Sequence, residues 1–285
     1  MLRQQLQSFL SAKLKAPVKE ILPVGGSCIN QTYKISTTTN DFFCKINSAS
    51  KFPHLFLKEQ NGLALLAKQK LIKLPDVMES CLFEDHQILI LEWIKEGIPN
   101  QDFWKTFGKQ LAALHQVKRE QFGLSEDNYM GSVPQSNKNH SSWISFFVEE
   151  RLMPLVKLCS DSLSSSHVKQ FEVLYQKLPG IFDNDKPSLL HGDLWSGNFM
   201  CNDKNQPALI DPAVYFGHPS VDLGMTTLFG GFDRSFYDAY HYHSPLPPNY
   251  KQQWQACNLY PLLIHLHLFG KSYLRQIEQT LADFV

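Results

Sequence analysis

The sequence predicts an α+β fold of two lobes, a small sheet-rich lobe over residues 1–95 and a larger helical lobe over residues 96–285. Short apolar runs bounded by turn residues dominate the first part of the chain, which also carries one long internal helical pattern. After Gly97 and Pro99 the apolar residues recur at helical spacing instead. The length of 285 residues fits two lobes, at about 150 residues per domain.

The small lobe is predicted to begin with an amphipathic helix over residues 2–14, where leucine and phenylalanine recur on one face. A second helix is predicted over residues 54–70, which carry leucines at the same spacing. The strands are predicted from short apolar runs at residues 20–24, 31–36, 41–46, 77–83 and 87–92. The last two runs are separated by the polar residues 84–86, which predict a hairpin and therefore an antiparallel pair.

The larger lobe is predicted to be mostly helical. Its helices are expected at residues 101–115, 143–158 and 167–178, with further helices after residue 221. Residues 132–142 are polar and are predicted to form a loop. Two short apolar pieces, residues 188–190 and 208–210, are predicted to be small strands on either side of a loop rich in polar side chains.

Composition excludes several classes of protein. Lysine plus arginine and aspartate plus glutamate each number 27, so the net charge is zero, and we expect neither nucleic acid nor an anionic membrane as a partner. No apolar run approaches the length of a membrane span, and the N-terminal residues lack a secretory signal, so a cytoplasmic location is expected. The six cysteines contain no C-x-x-C pair, which argues against a zinc site.

The strongest chemical signal is the string His191-Gly-Asp-Leu-Trp-Ser-Gly-Asn198, followed by Ile210-Asp-Pro212. Metal-assisted phosphoryl transfer needs a carboxylate that orients a hydroxyl group and oxygen ligands for Mg²⁺ beside the phosphates. We therefore predict that Asp193 is catalytic and that Asn198 and Asp211 bind the metal, in an enzyme that uses ATP. The alternative is that Asp193 and Asn198 only stabilise turns, as these residue types commonly do.

These motifs resemble those of the protein-kinase-like phosphotransferases that act on small molecules, such as aminoglycoside and choline kinases. Trp195 within the loop, and the later strings at residues 215–218 and 225–236, are similar to the fructosamine kinase family in particular. The resemblance extends from about residue 20 to the C-terminus. It implies a protein-kinase-like bilobal fold of the aminoglycoside phosphotransferase type, with an N-terminal ATP-binding lobe and a C-terminal catalytic and substrate lobe.

The same resemblance implies an ATP-dependent phosphotransferase with an alcohol acceptor. Its reaction would be phosphorylation of the O-3 hydroxyl of a ketosamine, a glycated amine such as a ribulosamine or fructosamine adduct, and this would initiate deglycation. Two alternatives stay open: a kinase of another small hydroxyl compound, of the aminoglycoside or choline type, and a non-catalytic protein that binds nucleotides or sugar amines. The oligomeric state is also open, with a homodimer among the options.

The small lobe contains candidate groups for binding ATP. Lys45, at the end of a predicted strand, would place its ammonium on the phosphates, and Glu59 on the following helix is expected to pair with it. The turn at Gly25, Gly26 and Ser27 is either a phosphate-covering loop, which the resemblance favours, or an ordinary hairpin turn.

Other site residues are predicted less directly. The main chain of Glu92 and Ile94, after a buried strand, is expected to bind the adenine ring. Trp195 is predicted either to stack on the substrate or to pack the loop, and His265 is a substrate-pocket residue by resemblance only. Cys28 is either an inert thiol or a redox-sensitive one, and Asp222 either caps a helix or accepts hydrogen bonds from the catalytic loop.

Overall fold

A computed structural model describes residues 2–25, 29–183 and 186–284, which divide into two units. The first unit comprises the residues up to Phe103 together with Phe199–Pro212, and the second comprises Trp104–Asn198 and the residues from Ala213 onward. Across the described ranges, no helix has the length and apolar character needed to cross a membrane.

Strands dominate the start of the chain, and helices dominate its end. The first elements are α1 (Leu2–Leu14), β1 (Glu20–Pro23), β2 (Gln31–Ser36), β3 (Asp41–Ser48), α2 (Leu55–Ala67), β4 (Val77–Phe83) and β5 (His86–Glu92). They are followed by α3 (Gln101–His115), β6 (Asn128–Met130), β7 (Val133–Gln135), α4 (Trp143–Phe147), α5 (Met153–Leu158), α6 (Ser165–Lys177) and β8 (Ser188–Leu190). The last are β9 (Phe199–Cys201), β10 (Pro207–Leu209), β11 (Tyr215–Gly217), α7 (Ser220–Met225), α8 (Arg234–His243), α9 (Tyr250–Phe269) and α10 (Leu274–Ala282).

The first unit is built on a five-stranded antiparallel sheet in the order β1-β2-β3-β5-β4. The inner strand β5 is buried from Gln87 to Leu91, because both of its faces are covered, and its sequence is therefore almost continuously apolar. Helix α1 packs on one side of the sheet, where the rings of Phe9 and Phe83 lie 4.8 Å apart. The sheet holds β3, and therefore Lys45, in a fixed register.

The hairpin of β9 and β10 also belongs to the first unit, although residues 199–212 fall within the range 96–285 that the sequence assigns to the larger lobe. Three main-chain hydrogen bonds explain this grouping. Gly97 N donates to Cys201 O at 2.8 Å, Asp203 N to Lys95 O at 2.9 Å, and Leu209 N to Lys73 O at 2.9 Å. These bonds place Asp211, two residues after β10, in the same unit as Lys45.

The second unit is mostly helical, as its sequence predicts, around an apolar core to which α9 contributes the longest buried stretch. Gly108 on α3 allows a close approach to α8, because a Cβ at that position would lie 2.2 Å from Phe236 O. Two short antiparallel pairs, β8 with β11 and β6 with β7, complete the unit. The first of these pairs positions the loop that begins at His191.

Two features of this unit differ from the sequence-based expectation. The helix predicted over residues 143–158 is interrupted by a π-helical segment, Val148–Leu152, between α4 and α5. The loop predicted over residues 132–142 begins with strand β7. A π-helical insertion leaves the apolar pattern nearly unchanged, and a three-residue strand is too short to show alternation.

Candidate active site

The first unit contains a buried cation between two carboxylates. Lys45 on β3 is 1% exposed, and its Nζ lies 2.7 Å from Glu59 Oε1 on α2 and 2.6 Å from Asp211 Oδ1. The ion pair predicted between Lys45 and Glu59 is therefore present. Burial alone would lower the pKa of Lys45, but the carboxylates of Asp211 and Glu59 outweigh it, and the pKa lies above its ordinary value. The side chain is thus held as a cation.

Asp211 is the more accessible partner of this cation, with 30% of its side chain exposed. It follows strand β10 and has a left-handed backbone with φ of 54°, which aspartate tolerates better than most residues. One carboxylate oxygen contacts Lys45, so the second is the atom that can approach another cation. A hard carboxylate oxygen of this kind suits Mg²⁺.

In the second unit, the loop from His191 to Asn198 follows β8 and turns sharply at Gly192. Its φ of 85° is in the left-handed region, and a Cβ there would lie 2.0 Å from Ala213 O. Only glycine fits this position, for both conformational and steric reasons. Ala213 N in turn donates to His191 O at 2.9 Å, which fastens the loop to the chain segment leading into β11.

A fully buried carboxylate fixes the start of this loop. Asp222 on α7 accepts from His191 N through Oδ2 and from Gly192 N through Oδ1, both at 2.8 Å. This is the second of the two roles predicted for Asp222. Burial would raise its pKa, but hydrogen bonding and charge from His115, the nearby His191 and the Gly192 N–H together hold the pKa below its ordinary value. The carboxylate is therefore ionised inside the protein.

Asp193 and Asn198 lie side by side within the loop. Asn198 Nδ2 donates to Asp193 Oδ2 and to Asp193 O, both at 2.8 Å. The two bonds restrain rotation of the Asp193 carboxylate. They also use the amide nitrogen of Asn198, so its amide oxygen is the atom that can bind a metal ion. Asp193 and Asn198, two of the predicted site residues, are therefore in direct contact, five positions apart along the loop.

Trp195 and His265 also meet in the second unit, through the ring of Phe229. The indole of Trp195 folds over Gly197, where a Cβ would lie 2.4 Å from the ring carbons Cη2 and Cζ2. Its ring centroid is 5.7 Å from that of Phe229, which is 4.8 Å from that of His265. Both predicted substrate residues therefore belong to one set of aromatic contacts that begins two residues after Asp193.

The remaining predicted ATP-binding residues lie in the first unit. Gly25 follows β1, and a Cβ there would meet no atom within 4 Å. The other loop residues, Gly26, Ser27 and the redox candidate Cys28, lie outside the described residues. Glu92 ends β5, its N–H donates to Asp76 O at 2.8 Å, and its carboxylate pairs with Lys73. Ile94 is buried just after this strand.

Sequence reasoning missed His115, a buried partner of Asp222, and Tyr240, a buried partner of His115. His115, at the end of α3, places Nε2 at 3.2 Å from Asp222 Oδ2, and its Nδ1 lies 2.8 Å from the Tyr240 hydroxyl. Because a carboxylate only accepts hydrogen bonds, Nε2 carries the proton. The sequence signal for His115 was weak, because it is a single histidine at the end of the apolar pattern of α3. In the structure, this histidine is 1% exposed.

The first unit therefore carries a buried lysine paired with a helix glutamate and with an aspartate that follows a strand. The second unit carries an Asp–Asn loop anchored by a buried carboxylate. With the five-stranded sheet and the helical unit, these features define a protein-kinase-like fold. The crystal structure of an aminoglycoside phosphotransferase has this fold, with a TM-score of 0.69 at 12% identity, covering 99% of both chains.

Comparison with known proteins gives the family. The family model described as fructosamine kinase matches residues 2–285, and the chain belongs to this family. A protein of Synechocystis sp. named as a probable ketoamine kinase is 38% identical over 93% of this chain and 90% of its own length. A chloroplastic protein-ribulosamine 3-kinase of Arabidopsis thaliana is 34% identical over 94% of this chain and 83% of its own.

A solved structure agrees with the sequence relatives. A Thermobifida fusca protein assigned by name to the fructosamine-3-kinases superposes with a TM-score of 0.88, at 29% identity, over 97% of both chains. The family resemblance and the fold class predicted from the sequence are thus confirmed. The roles predicted for individual residues stay predictions, because the comparisons concern whole chains.

Proposed function

We propose that the protein is an ATP-dependent kinase that transfers the γ-phosphoryl group of ATP to the O-3 hydroxyl of a ketosamine. The observation that carries this proposal is the Asp193 carboxylate, restrained by Asn198 on a loop anchored to Asp222, in a chain of the fructosamine kinase family. Relatives named as ketoamine kinase and ribulosamine 3-kinase support the substrate class. Phosphoryl transfer depends more on positioning of the reactants and on positive charge near the phosphates than on covalent chemistry. The second unit offers the oriented Asp193 carboxylate, and the first offers the Lys45 cation.

Asp193 orients the acceptor hydroxyl and accepts its proton as the oxygen–phosphorus bond forms. The two bonds from Asn198 support this role, because they hold the carboxylate in one rotamer before the substrate arrives. The Asp222 contacts to the main chain of His191 and Gly192 support it further, since they fix the loop on which Asp193 lies. The hydroxyl group is then oriented by a side chain that needs little rearrangement.

Lys45 places positive charge on the phosphates of ATP. Its ammonium is already desolvated and oriented by Glu59, so little side-chain entropy is lost when a phosphate binds. The contact with Asp211 is the one that a phosphate can share, because Asp211 is the more exposed of the two carboxylates. Gly25, Gly26 and Ser27 remain our proposed phosphate-covering loop, and the main chain of Glu92 and Ile94 remains the proposed adenine contact.

Mg²⁺ is the metal that the available donors suit. The second carboxylate oxygen of Asp211 and the amide oxygen of Asn198 are hard ligands, and neither atom is the one used in the contacts described above. When bound, Mg²⁺ supplies positive charge that offsets charge on the phosphate oxygens. We propose Asn198 and Asp211 as its protein ligands.

Trp195 and His265 are the proposed substrate contacts. Phosphate is a better leaving group than hydroxide, so phosphorylation at O-3 would weaken the adduct and initiate deglycation.

We also retain a cytoplasmic location in the proposal, because ATP is available there.

The experiment measures ADP release with Mg²⁺ and ATP against five conditions: a ribulose–lysine adduct, a fructose–lysine adduct, choline, an aminoglycoside, and no acceptor. We expect turnover with the two ketosamines only. Asp193→Ala is expected to lower kcat by about 10²–10⁴-fold, the usual contribution of a positioned acid or base. Asp203→Ala, an exposed carboxylate in the turn between β9 and β10, is the matched control and should retain full activity.

Turnover confined to choline or the aminoglycoside would support kinase activity but would overturn the proposal that a ketosamine is the substrate. Binding of ATP without turnover of any acceptor would favour a binding protein instead. Phosphorus NMR of the product, with the phosphate found on a hydroxyl other than O-3, would overturn the position of transfer while keeping the substrate class.

A further inference from the structure

Four aromatic side chains of the second unit form a cluster whose arrangement goes beyond the proposed chemistry. We call it the aromatic group, and its members are Phe229, His265, Phe269 and Tyr273. The ring of His265 is at its centre, with centroids 4.8 Å from Phe229, 5.3 Å from Phe269 and 5.0 Å from Tyr273. Phe229 and Phe269 are 39% and 48% exposed, so the group presents ring surface to solvent.

The backbone at Phe229 is in an unfavourable conformation. Its φ is 55°, a left-handed value that is rare for a bulky residue, and Gly230 and Gly231 follow with φ of 112° and 71°. The Ser196 hydroxyl, from the loop that carries Asp193, donates to Phe229 O at 3.3 Å. Backbone strain of this kind is concentrated at functional sites, where it positions a side chain for contact.

The aromatic group is continuous with the catalytic loop. The Trp195 ring meets Phe229 edge-on, at 5.7 Å between centroids and an interplanar angle of 78°. Trp195 is two residues from Asp193, so a substrate whose sugar is oriented by Asp193 and touches Trp195 would extend its other end toward Phe229. In a ketosamine, that other end is the amine.

His265 adds a polar acceptor to the aromatic group. Its Nδ1 lies 2.7 Å from Pro261 O, and because a carbonyl only accepts hydrogen bonds, Nδ1 carries the proton. Burial lowers the pKa of His265, outweighing the opposite effect of that hydrogen bond, so the ring is neutral near pH 7. Nε2 is then a lone-pair acceptor beside aromatic faces, a combination that suits a donor on a cation.

We propose that the aromatic group binds the amine end of the ketosamine and selects adducts whose nitrogen carries a long aliphatic or aromatic substituent. The proposal rests on the proposed function. The secondary ammonium of a ketosamine is attracted to aromatic faces, and its N–H groups are donors for His265 Nε2. The substituent on the nitrogen packs against the exposed rings of Phe229 and Phe269, so a small amine gains less from this surface.

The test compares three fructose adducts that differ only in the amine: methylamine, Nα-acetyl-lysine and benzylamine. The variants are Phe229→Ala, Phe229→Leu and Tyr242→Ala. Tyr242 is an aromatic residue of the same unit that is 82% exposed and contacts His243, so it is the matched control. Both kcat and KM are measured for each adduct, and circular dichroism and the thermal midpoint verify that each variant is folded.

We expect Phe229→Ala to raise KM about tenfold for the lysine and benzylamine adducts, and less than about threefold for the methylamine adduct, with kcat unchanged. Phe229→Leu should restore the lysine adduct more than the benzylamine adduct, because leucine keeps apolar contact without an aromatic face. Tyr242→Ala should change none of the values. An equal change for all three adducts, or no change for any, would overturn the proposal.

Calorimetric binding of the same adducts to the parent and Phe229→Ala separates this proposal from the proposed function. If the parent phosphorylates no adduct, the proposed function is wrong. In that case, the Kd values of the adducts for the parent and for Phe229→Ala test the amine-binding surface on their own. A tenfold weakening limited to the two larger adducts supports it, and equal Kd values for parent and variant refute it.

Discussion

Lys45 in the first unit and Asp222 in the second are both charged side chains with almost no exposure to solvent, yet they are stabilised in opposite ways. Lys45 is held by the side chains of Glu59 and Asp211. Asp222 accepts a hydrogen bond from the side chain of His115 and two more from main-chain N–H groups, those of His191 and Gly192. The partners of Lys45 are side chains that can rotate, whereas two of the partners of Asp222 are main-chain groups of the loop itself.

This difference indicates what each charge contributes. A side-chain carboxylate such as Asp211 can turn away when a phosphate arrives, so Lys45 can exchange partners without any change of the backbone. The N–H groups of a loop cannot leave Asp222 unless the loop unfolds. We therefore expect changes at Lys45 to affect activity and changes at Asp222 to affect stability.

The largest effect on stability is expected for Asp222→Asn. The amide has the same shape, but its NH₂ group would face a main-chain N–H, and the variant loses the charge that pairs with His115. We expect a loss of about 3–5 kcal/mol in the free energy of unfolding, measured by urea titration. Asp238→Asn, an exposed carboxylate on α8, is the control and should not change it.

The difference in stability between the parent and Asp222→Asn should depend on pH, in a direction set by the pKa of Asp222. The pKa of Asp222 is lower in the folded protein than in the unfolded chain, where it is about 3.9. Its contribution is therefore fully present above the unfolded value and is lost as the pH falls through the folded pKa. The difference in stability between the parent and Asp222→Asn should shrink below about pH 4. A difference that grows on acidification would contradict the assignment of a buried, ionised Asp222.

The next effect, on activity, is expected for Lys45→Met. Methionine fills a similar volume without the ammonium, so the positive charge on the phosphates is lost. We expect kcat/KM to fall about 10²–10³-fold, comparable to the loss of one preorganised charge-stabilising donor. Lys34→Met, on the neighbouring strand β2, is the control, since Lys34 is a partly exposed residue paired with Asp41. A Lys45→Met variant that unfolds more readily than Asp222→Asn would reverse the comparison.

Lys45 and Asp222 also show which contacts can be predicted from the sequence and which cannot. The contact of Lys45 with Glu59 could be predicted, because the resemblance to kinases implies a strand lysine paired with a glutamate on the following helix, and both elements are long enough to be recognised from their patterns. The Asp193 loop could be predicted from its motif. The contact of Asp222 with His115 could not, because the two residues are 107 positions apart and histidine on an apolar face is common in protein cores.

Short and strained elements also escaped prediction. Strands β6 and β7 each have three residues, too few to show an alternating pattern, and unlike the equally short β8 they are not short apolar runs. The left-handed backbone at Phe229 has no local sequence signature, because phenylalanine is not a residue type that favours positive φ. Both features depend on tertiary packing, which the order of residues in one segment does not reveal.

The smallest effect is expected for the exposed ion pair of Lys13 and Glu79, which tests whether burial or pairing makes Lys45 special. Lys13 Nζ lies 2.9 Å from Glu79 Oε1, about as close as Lys45 to Glu59, but the two side chains are 38% and 31% exposed. Double-mutant cycles to alanine should give a coupling energy of about 1.5–3 kcal/mol for Lys45 and Glu59, as for a hydrogen bond between charged groups. The Lys13 cycle should give no coupling above experimental error, because water and salt screen an exposed pair. Equal coupling in the two cycles would mean that the contact itself, and not the desolvated position between two carboxylates, stabilises Lys45.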